Sequence, residues 1–192
     1  IDHIIVATPE EAVMPLTDEL RRVGISKLLV VVKGGKSRQA SVKAALGSIP
    51  SEVDAVLVHD AVRPFVRMSK VSDVIRSVRD IGAGSLAINI SDTVRKLERN
   101  DDRQVVFGKT EDRENLVRMQ TPQGFRTDWL TKAHEQAFAT GYESTDDVDL
   151  VQQIGHAVVR LDGCLYNIKI TTPQDWDRAL HFWEYWQTIL KQ

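Results

Sequence analysis

An α/β fold with a parallel central sheet is what this sequence predicts, and three observations carry the prediction. Strand-like and helix-like segments alternate at short intervals from the first residues to Gly82 and Gly84. The strands are continuous apolar runs of the kind covered on both faces, such as Leu28-Leu29-Val30-Val31-Val32. The helices keep one apolar side, as Val71, Val74, Ile75 and Val78 do. Such alternation closes through right-handed crossovers onto one sheet.

In order, Ile4-Ile5-Val6-Ala7 is a β-branched strand, and Thr8-Pro9-Glu10-Glu11 opens a helix carrying Leu16, Leu20 and Val23 up to Gly24. After the Leu28 strand, Gly34-Gly35 breaks the chain before a helix with Val42, Ala45 and Leu46. Ala55 to Val58 is a buried strand that ends at His59-Asp60. Beyond Leu86 the pattern changes. Thr93 to Leu97 and Val105 to Phe107 read as short strands around the charged stretch Glu98 to Gln104, a hairpin with its tip in water. Helices follow at Thr127 to Phe138 and Thr145 to Ile154, then strands at Val158 to Leu161 and Asn167 to Ile170. The last helix opens with Thr172 as N-cap and Pro173 at its first position. Its side bearing Trp176, Leu180, Trp183 and Ile189 is expected to dock on the sheet.

Composition narrows the function classes. The 192 residues carry 25 Lys+Arg against 27 Asp+Glu, a net charge of −2 that gives no footprint for non-specific nucleic-acid binding. No apolar run reaches the roughly 18 residues of a membrane span. One cysteine, Cys164, excludes an internal disulfide framework and a Cys-rich zinc site, which suits a reducing, cytoplasmic setting. No basic-then-apolar leader is seen, and the chain starts at Ile1 inside a strand-like run, as a fragment would.

Three polar constellations follow strands, where open α/β sheets bind ligands. Gly34-Gly35-Lys36-Ser37-Arg38 with Ser41 lets backbone approach a flat ligand beside a helix N-terminus. A tight turn with a capping serine accounts for the same residues. His59-Asp60-Ala61-Val62-Arg63-Pro64 places a carboxylate at a strand end. One Asp is enough for a magnesium ion that takes its other ligands from substrate phosphates. The plainer account is a solvated Asp–Arg pair. Lys169 lies between Ile168 and Ile170, so alternation sends it away from them, either to snorkel into water or to meet an anion. His59 has no second His or Cys at ligand spacing and reads as a hydrogen-bonded strand-end residue. Cys164 has no activating partner in the sequence.

Taken in order, these stretches resemble the 2-C-methyl-D-erythritol 4-phosphate cytidylyltransferase family. The matching residues are Gly34-Gly35-x-x-Arg38-x-x-Ser41, Val58-His59-Asp60-Ala61-x-Arg63-Pro64, Asp92-Thr93, Arg113-x-x-Leu116, Gln120-Thr121-Pro122-Gln123-Gly124-Phe125, Thr145-Asp146-Asp147 and Asn167-Ile168-Lys169-Ile170-Thr171-x-Pro173. The resemblance implies a Rossmann-like nucleotidyltransferase fold over residues 1–192, with a protruding β-arm at 93–119 that interlocks two subunits in a homodimer. It implies transfer of a cytidylyl group from CTP to a phosphorylated polyol, with release of pyrophosphate. Asp60 would then hold Mg2+ or another divalent cation, while Gly35, Lys36, Ser41 and Ala61 line the cytidine site. Arg63, Thr93, Arg113, Thr121 and Thr145 match positions that grip the polyol phosphate. Arg113 and Lys169 match the pair that orients the attacking phosphate.

Two departures stand out. Asn89 occupies a position where the family commonly has proline. The family also opens with a strand and a glycine-rich loop bearing an Arg and a Lys, roughly 30 residues or more of strand, loop and helix. None of it is seen here, so the sequence is expected to cover part of a protein, or to be a fragment that neither folds well nor turns over CTP. Relatives that use ribitol 5-phosphate share much of the motif set, and a catalytically silent nucleotide-binding or dimerisation module is the reading from another class.

Overall fold

The computed structural model describes residues 1–189, and its elements alternate as the sequence predicts. They are β1 (Ile4–Thr8), α1 (Val13–Arg22), β2 (Leu28–Lys33), α2 (Arg38–Leu46), β3 (Ala55–Val58), α3 (Met68–Ile81), β4 (Ala83–Asn89), β5 (Arg95–Arg99), β6 (Val105–Thr110), β7 (Val117–Arg126), α4 (Thr127–Thr140), α5 (Asp147–Gln153), β8 (Val159–Asp162) and α6 (Pro173–Ile189). Short 3-10 turns precede α1 and β7. β1 and β2 pair in parallel, and the order β3-β7-β4-β8 forms a second sheet in which β7 runs antiparallel to β3. β5 and β6 form the antiparallel arm, with Leu97 opposite Phe107 and Arg99 opposite Val105, and the register shifts between Leu97 and Arg95, which faces Thr110.

The chain divides into two compact units. The first comprises Ile1–Val58, Ile75–Gly84 and Gln123–Val159. Its core is Ala83, Phe125, Leu130, Ala133, Ala137, Leu150 and Val151, with Leu46, Val56 and Val58 packed against it. A buried polar knot lies in the same unit. Asp147, fully enclosed, accepts from Arg38 Nη1 at 2.7 Å and from His134 Nε2 at 2.8 Å. Its backbone N–H donates to Gln123 Oε1 at 3.2 Å. Asp146 caps α5 by accepting from the Asp149 N–H at 3.0 Å. The first turn of α2, the start of α5 and the side of α4 are thereby held to one carboxylate.

The second unit comprises His59–Val74, Ser85–Pro122 and the chain from Arg160. Phe65, Ala179 and Trp186 form its apolar centre, with Ile168, Ile170, Phe182 and Ile189 around them. Phe65 meets Phe182 edge-on at 4.9 Å, and Tyr166 stacks on Phe182 at 4.7 Å. Asn89 accepts from Arg160 Nη2 at 2.7 Å and so ties the end of β4 to β8.

Two segments differ from what the sequence predicts. Residues 167–170 form no strand. The alternation survives because Ile168 and Ile170 pack into the Phe65 cluster while Lys169 meets Asp60. One backbone bond, Ile170 N–H to Val62 O at 2.9 Å, replaces a ladder. The buried side of α6 also differs from the expected one: Ala179, Phe182, Trp186 and Ile189 pack, whereas Trp176, Leu180 and Trp183 stay about half exposed. Both sets keep helical spacing, so periodicity cannot choose between them. The opening of α6 is as expected. Asp175 accepts from the Thr171 amide and from the Thr172 amide and hydroxyl, which holds its carboxyl below the usual range. Thr172 Oγ1 in turn accepts from the Asp175 N–H at 3.2 Å.

Candidate active site

The Gly34-Gly35 loop in the first unit folds back on α2. Ser37 caps α2 by accepting from the Ala40 N–H at 3.1 Å. Ser41 Oγ donates to Ser37 O at 2.9 Å and accepts from the Gly35 N–H at 3.1 Å, folding the loop back on the helix. A Cβ on Gly35 would sit 2.3 Å from the Ala40 Cβ, closer than any side chain tolerates. Gly35→Ala therefore has to push the loop off α2, an overpacking change of about 1–3 kcal/mol. The expected result is a folded protein whose Michaelis constant for CTP rises about tenfold, or ~1.4 kcal/mol of binding. Steady-state kinetics with CTP varied check it, and an unchanged constant would remove Gly35 from the nucleotide site. Lys36 and Thr145 are exposed in this unit, Thr145 just before the Asp146 cap.

In the second unit the turn after β3 gathers charge. Arg63 N–H closes the turn on Asp60 O at 3.0 Å. The Asp60 carboxylate, mostly buried, lies 3.4 Å from Arg63 Nε and 3.2 Å from Lys169 Nζ, both measured to Oδ2. Arg63 is aimed by its other nitrogens: Nη1 donates to Asn167 O at 2.8 Å and Nη2 to Met119 O at 3.4 Å. Ala61 is exposed on the same turn.

The segment carrying Lys169 is clamped from β7. Gln120 donates through Nε2 to Cys164 O at 2.8 Å and accepts from the Cys164 N–H at 3.0 Å. Asn167 Nδ2 donates to Thr121 O at 2.7 Å. Gln120 and Asn167 are nearly fully buried, so these bonds are made away from competing water. Both residues lie within the sequence motifs, but neither carries a role there. Polar residues flanking a lysine near a Gly-Cys turn were the available signal.

Thr121 Oγ1 accepts from the Asp60 N–H at 3.0 Å and lies 2.9 Å from His59 Nδ1, while His59 Nε2 lies 3.0 Å from Arg63 O. Burial of the ring holds the His59 imidazole below the ordinary histidine range, against the pull of Arg63 O and Asp60, even though one edge meets solvent. At the base of the arm, Arg113 Nη1 donates to Ser91 O at 2.6 Å and the Glu111 N–H to Val94 O at 2.8 Å, so exposed Thr93 and Arg113 share one strand junction.

The structure thus brings Asp60, Arg63, Thr121 and Lys169 together, pairs Gly35 with Ser41, and places Thr93 with Arg113. Among the described residues no group of three or more His, Cys, Asp or Glu side chains could hold a metal. The donor set at Asp60 is a single carboxylate beside two cations. It fits a hard cation such as Mg2+ that takes most of its ligands from phosphates and water.

Comparison with known proteins bears on this geometry. The family model described as IspD, 2-C-methyl-D-erythritol 4-phosphate cytidylyltransferase, matches residues 1–184. A 2-C-methyl-D-erythritol 4-phosphate cytidylyltransferase of Salinibacter ruber is 46% identical over 187 residues, covering 97% of this chain and 76% of the relative. The crystal structure of the Thermus thermophilus 2-C-methyl-D-erythritol 4-phosphate cytidylyltransferase superposes with a TM-score of 0.81 at 33% identity, over 95% of this chain and 82% of that one. The 4-diphosphocytidyl-2C-methyl-D-erythritol synthase of Anaerococcus prevotii gives 0.82 at 28% identity, over 96% and 79%. The fold is therefore the Rossmann-like nucleotidyltransferase fold that the resemblance implies. On the family match and on this identity over nearly all its length, the chain belongs to the 2-C-methyl-D-erythritol 4-phosphate cytidylyltransferase family.

Proposed function

We propose that this chain transfers a cytidylyl group from CTP to 2-C-methyl-D-erythritol 4-phosphate, a step of isoprenoid biosynthesis that releases pyrophosphate. A phosphate oxygen of the acceptor attacks the α-phosphorus of CTP. A new P–O–P bond forms, the α–β phosphoanhydride bond breaks, and its electron pair leaves with pyrophosphate. No covalent enzyme intermediate is needed, so the protein's task is positioning and charge neutralisation. The observation that carries the reading is the Asp60–Arg63–Lys169 cluster, an anion and two cations of the kind a phosphoryl centre requires.

Gly35, Lys36, Ser41 and Ala61 line the cytidine side. Asp60 holds the divalent cation, which neutralises phosphate charge when bound. Arg63, Thr93, Arg113 and Thr145 hold the acceptor phosphate, with Thr121 on the same side, and Arg113 and Lys169 aim it. Arg113 offers a planar fork for two phosphate oxygens, whereas Lys169 is a point charge able to follow the attacking oxygen. Arg113→Lys is therefore expected to raise the acceptor's Michaelis constant and lower kcat. Lys169→Ala is expected to lower mainly kcat, by a contact worth ~1.5–3 kcal/mol. Steady-state kinetics with each substrate varied in turn decide the matter, and effects confined to CTP would move both residues to the nucleotide side.

The test of the function itself is pyrophosphate release from CTP against a panel of phosphorylated polyols. Activity confined to ribitol 5-phosphate would replace the acceptor, and none with any polyol would leave a silent binding module.

No helix of the described residues is long and apolar enough to cross a membrane. The arm supports a homodimer: Leu97 is 66% and Phe107 76% exposed on a two-stranded hairpin, a form marginal in water without a partner surface. Deleting residues 97–107 is expected to give monomers in sedimentation that lose acceptor binding. Retained dimers would make the arm ordinary surface.

A further inference from the structure

We infer that His59 is a positioning residue, which fixes the Thr121 hydroxyl and through it the backbone of the Asp60–Arg63 turn. For a neutral ring the hydrogen-bond inventory leaves one arrangement. Arg63 O can only accept, so His59 Nε2 carries the proton and donates to it. In the neutral ring Nδ1 is then an acceptor, and its neighbour at 2.9 Å is Thr121 Oγ1. A hydroxyl has one proton, and Thr121 gives it to His59. Its lone pair takes the Asp60 N–H at 3.0 Å. Thr121 is 4% exposed, so the hydroxyl has no water to turn to as an alternative.

His59 therefore grips the turn at both ends. One ring nitrogen holds the Arg63 carbonyl, and the other orients the hydroxyl that receives the Asp60 amide. The turn's own Arg63 N–H to Asp60 O bond at 3.0 Å closes the ring of contacts. Thr121 accordingly serves the acceptor side through this turn, with no proton left to donate to a phosphate. The strand-end histidine thus sets the backbone from which the Asp60 carboxylate and the Arg63 guanidinium project.

The inference rests on the proposed function for its kinetic arm alone, and amide exchange tests it without any activity. In substrate-free protein, exchange of the Asp60 amide is expected to speed up at least ~10-fold in both His59→Phe and Thr121→Val, the latter keeping the threonine shape. In the active protein each variant is expected to lose about 10–100-fold in kcat, the usual cost of removing a partner that orients a metal ligand, and to need more magnesium for half-maximal rate. The double variant should fall no further than the worse single one, because both act through one hydroxyl. His59→Asn places an acceptor where Nδ1 stood and should recover to within about fivefold of wild type. Normal Asp60 amide protection in His59→Phe, multiplying losses in the double variant, or a His59→Asn as slow as Thr121→Val would each overturn the inference. Should His59→Phe not fold, Thr121→Val and His59→Asn decide it by the same amide measurement. Absent pyrophosphate release in the wild type would fail the proposed function and leave amide exchange to judge His59.

Discussion

Asp60→Asn is expected to fold normally and to lose turnover by about 100-fold or more. The amide occupies the same volume, and the Asp60 backbone bonds to Thr121 and Arg63 do not involve the carboxylate. What disappears is one negative charge held between Arg63 and Lys169. Removing a mere outer partner of a metal ligand costs about 10–100-fold, so removing the ligand's charge should cost no less. The two cations would also face each other without this counter-ion, which loosens the cluster. Circular dichroism and thermal melting check the fold, and pyrophosphate release over a magnesium titration checks the site. Near-normal rates at limiting magnesium would end the assignment of the cation to Asp60.

The largest stability change is expected at Asp147. Its side chain is 1% exposed and meets Arg38, itself only 27% exposed, and the 1% exposed His134. Asp147→Ala removes the carboxylate that the Arg38 guanidinium meets and the acceptor of an enclosed imidazole. Breaking one side of such a buried pair costs about 3–5 kcal/mol. At ~2–4 °C per kcal/mol for a chain of this size, the melting midpoint should fall by about 6–20 °C. Asp147→Asn keeps an acceptor and should fall by less. Denaturant unfolding at constant m-value gives the free energy directly, and a loss under ~1 kcal/mol would mean that the knot is solvated. Because Arg38 begins the helix behind the Gly34-Gly35 loop, the same variant is also expected to weaken CTP binding.

Most of the elements can be read from residues alone. The apolar run at 28–32, the helical stripe through Val71 and Val78 and the Thr172-Pro173 cap each appear in the structure where chain chemistry puts them. β7 cannot be read this way. Gln120, Thr121, Pro122, Gln123 and Gly124 spell a loop by any propensity, since proline and glycine weaken strands and polar residues avoid cores. Yet Gln120, Thr121 and Gln123 are at most 4% exposed. Each is accommodated because a distant segment supplies its hydrogen bonds: Cys164 for Gln120, His59 for Thr121 and the Asp147 amide for Gln123.

The same contrast holds at the site. The sequence determined that Asp60, Arg63 and Lys169 are charged residues beside apolar runs, and that Gly35 precedes a helix. Only the tertiary structure decided that Lys169 and Arg63 share one carboxylate, that 167–170 carries its lysine without a strand, and that His59 is engaged at both ring nitrogens. Apolar burial leaves a periodic trace along a chain because each residue responds to its own side of an element. A buried polar group leaves none, because what stabilises it is a partner dozens of residues away, brought within hydrogen-bond distance only when the chain folds.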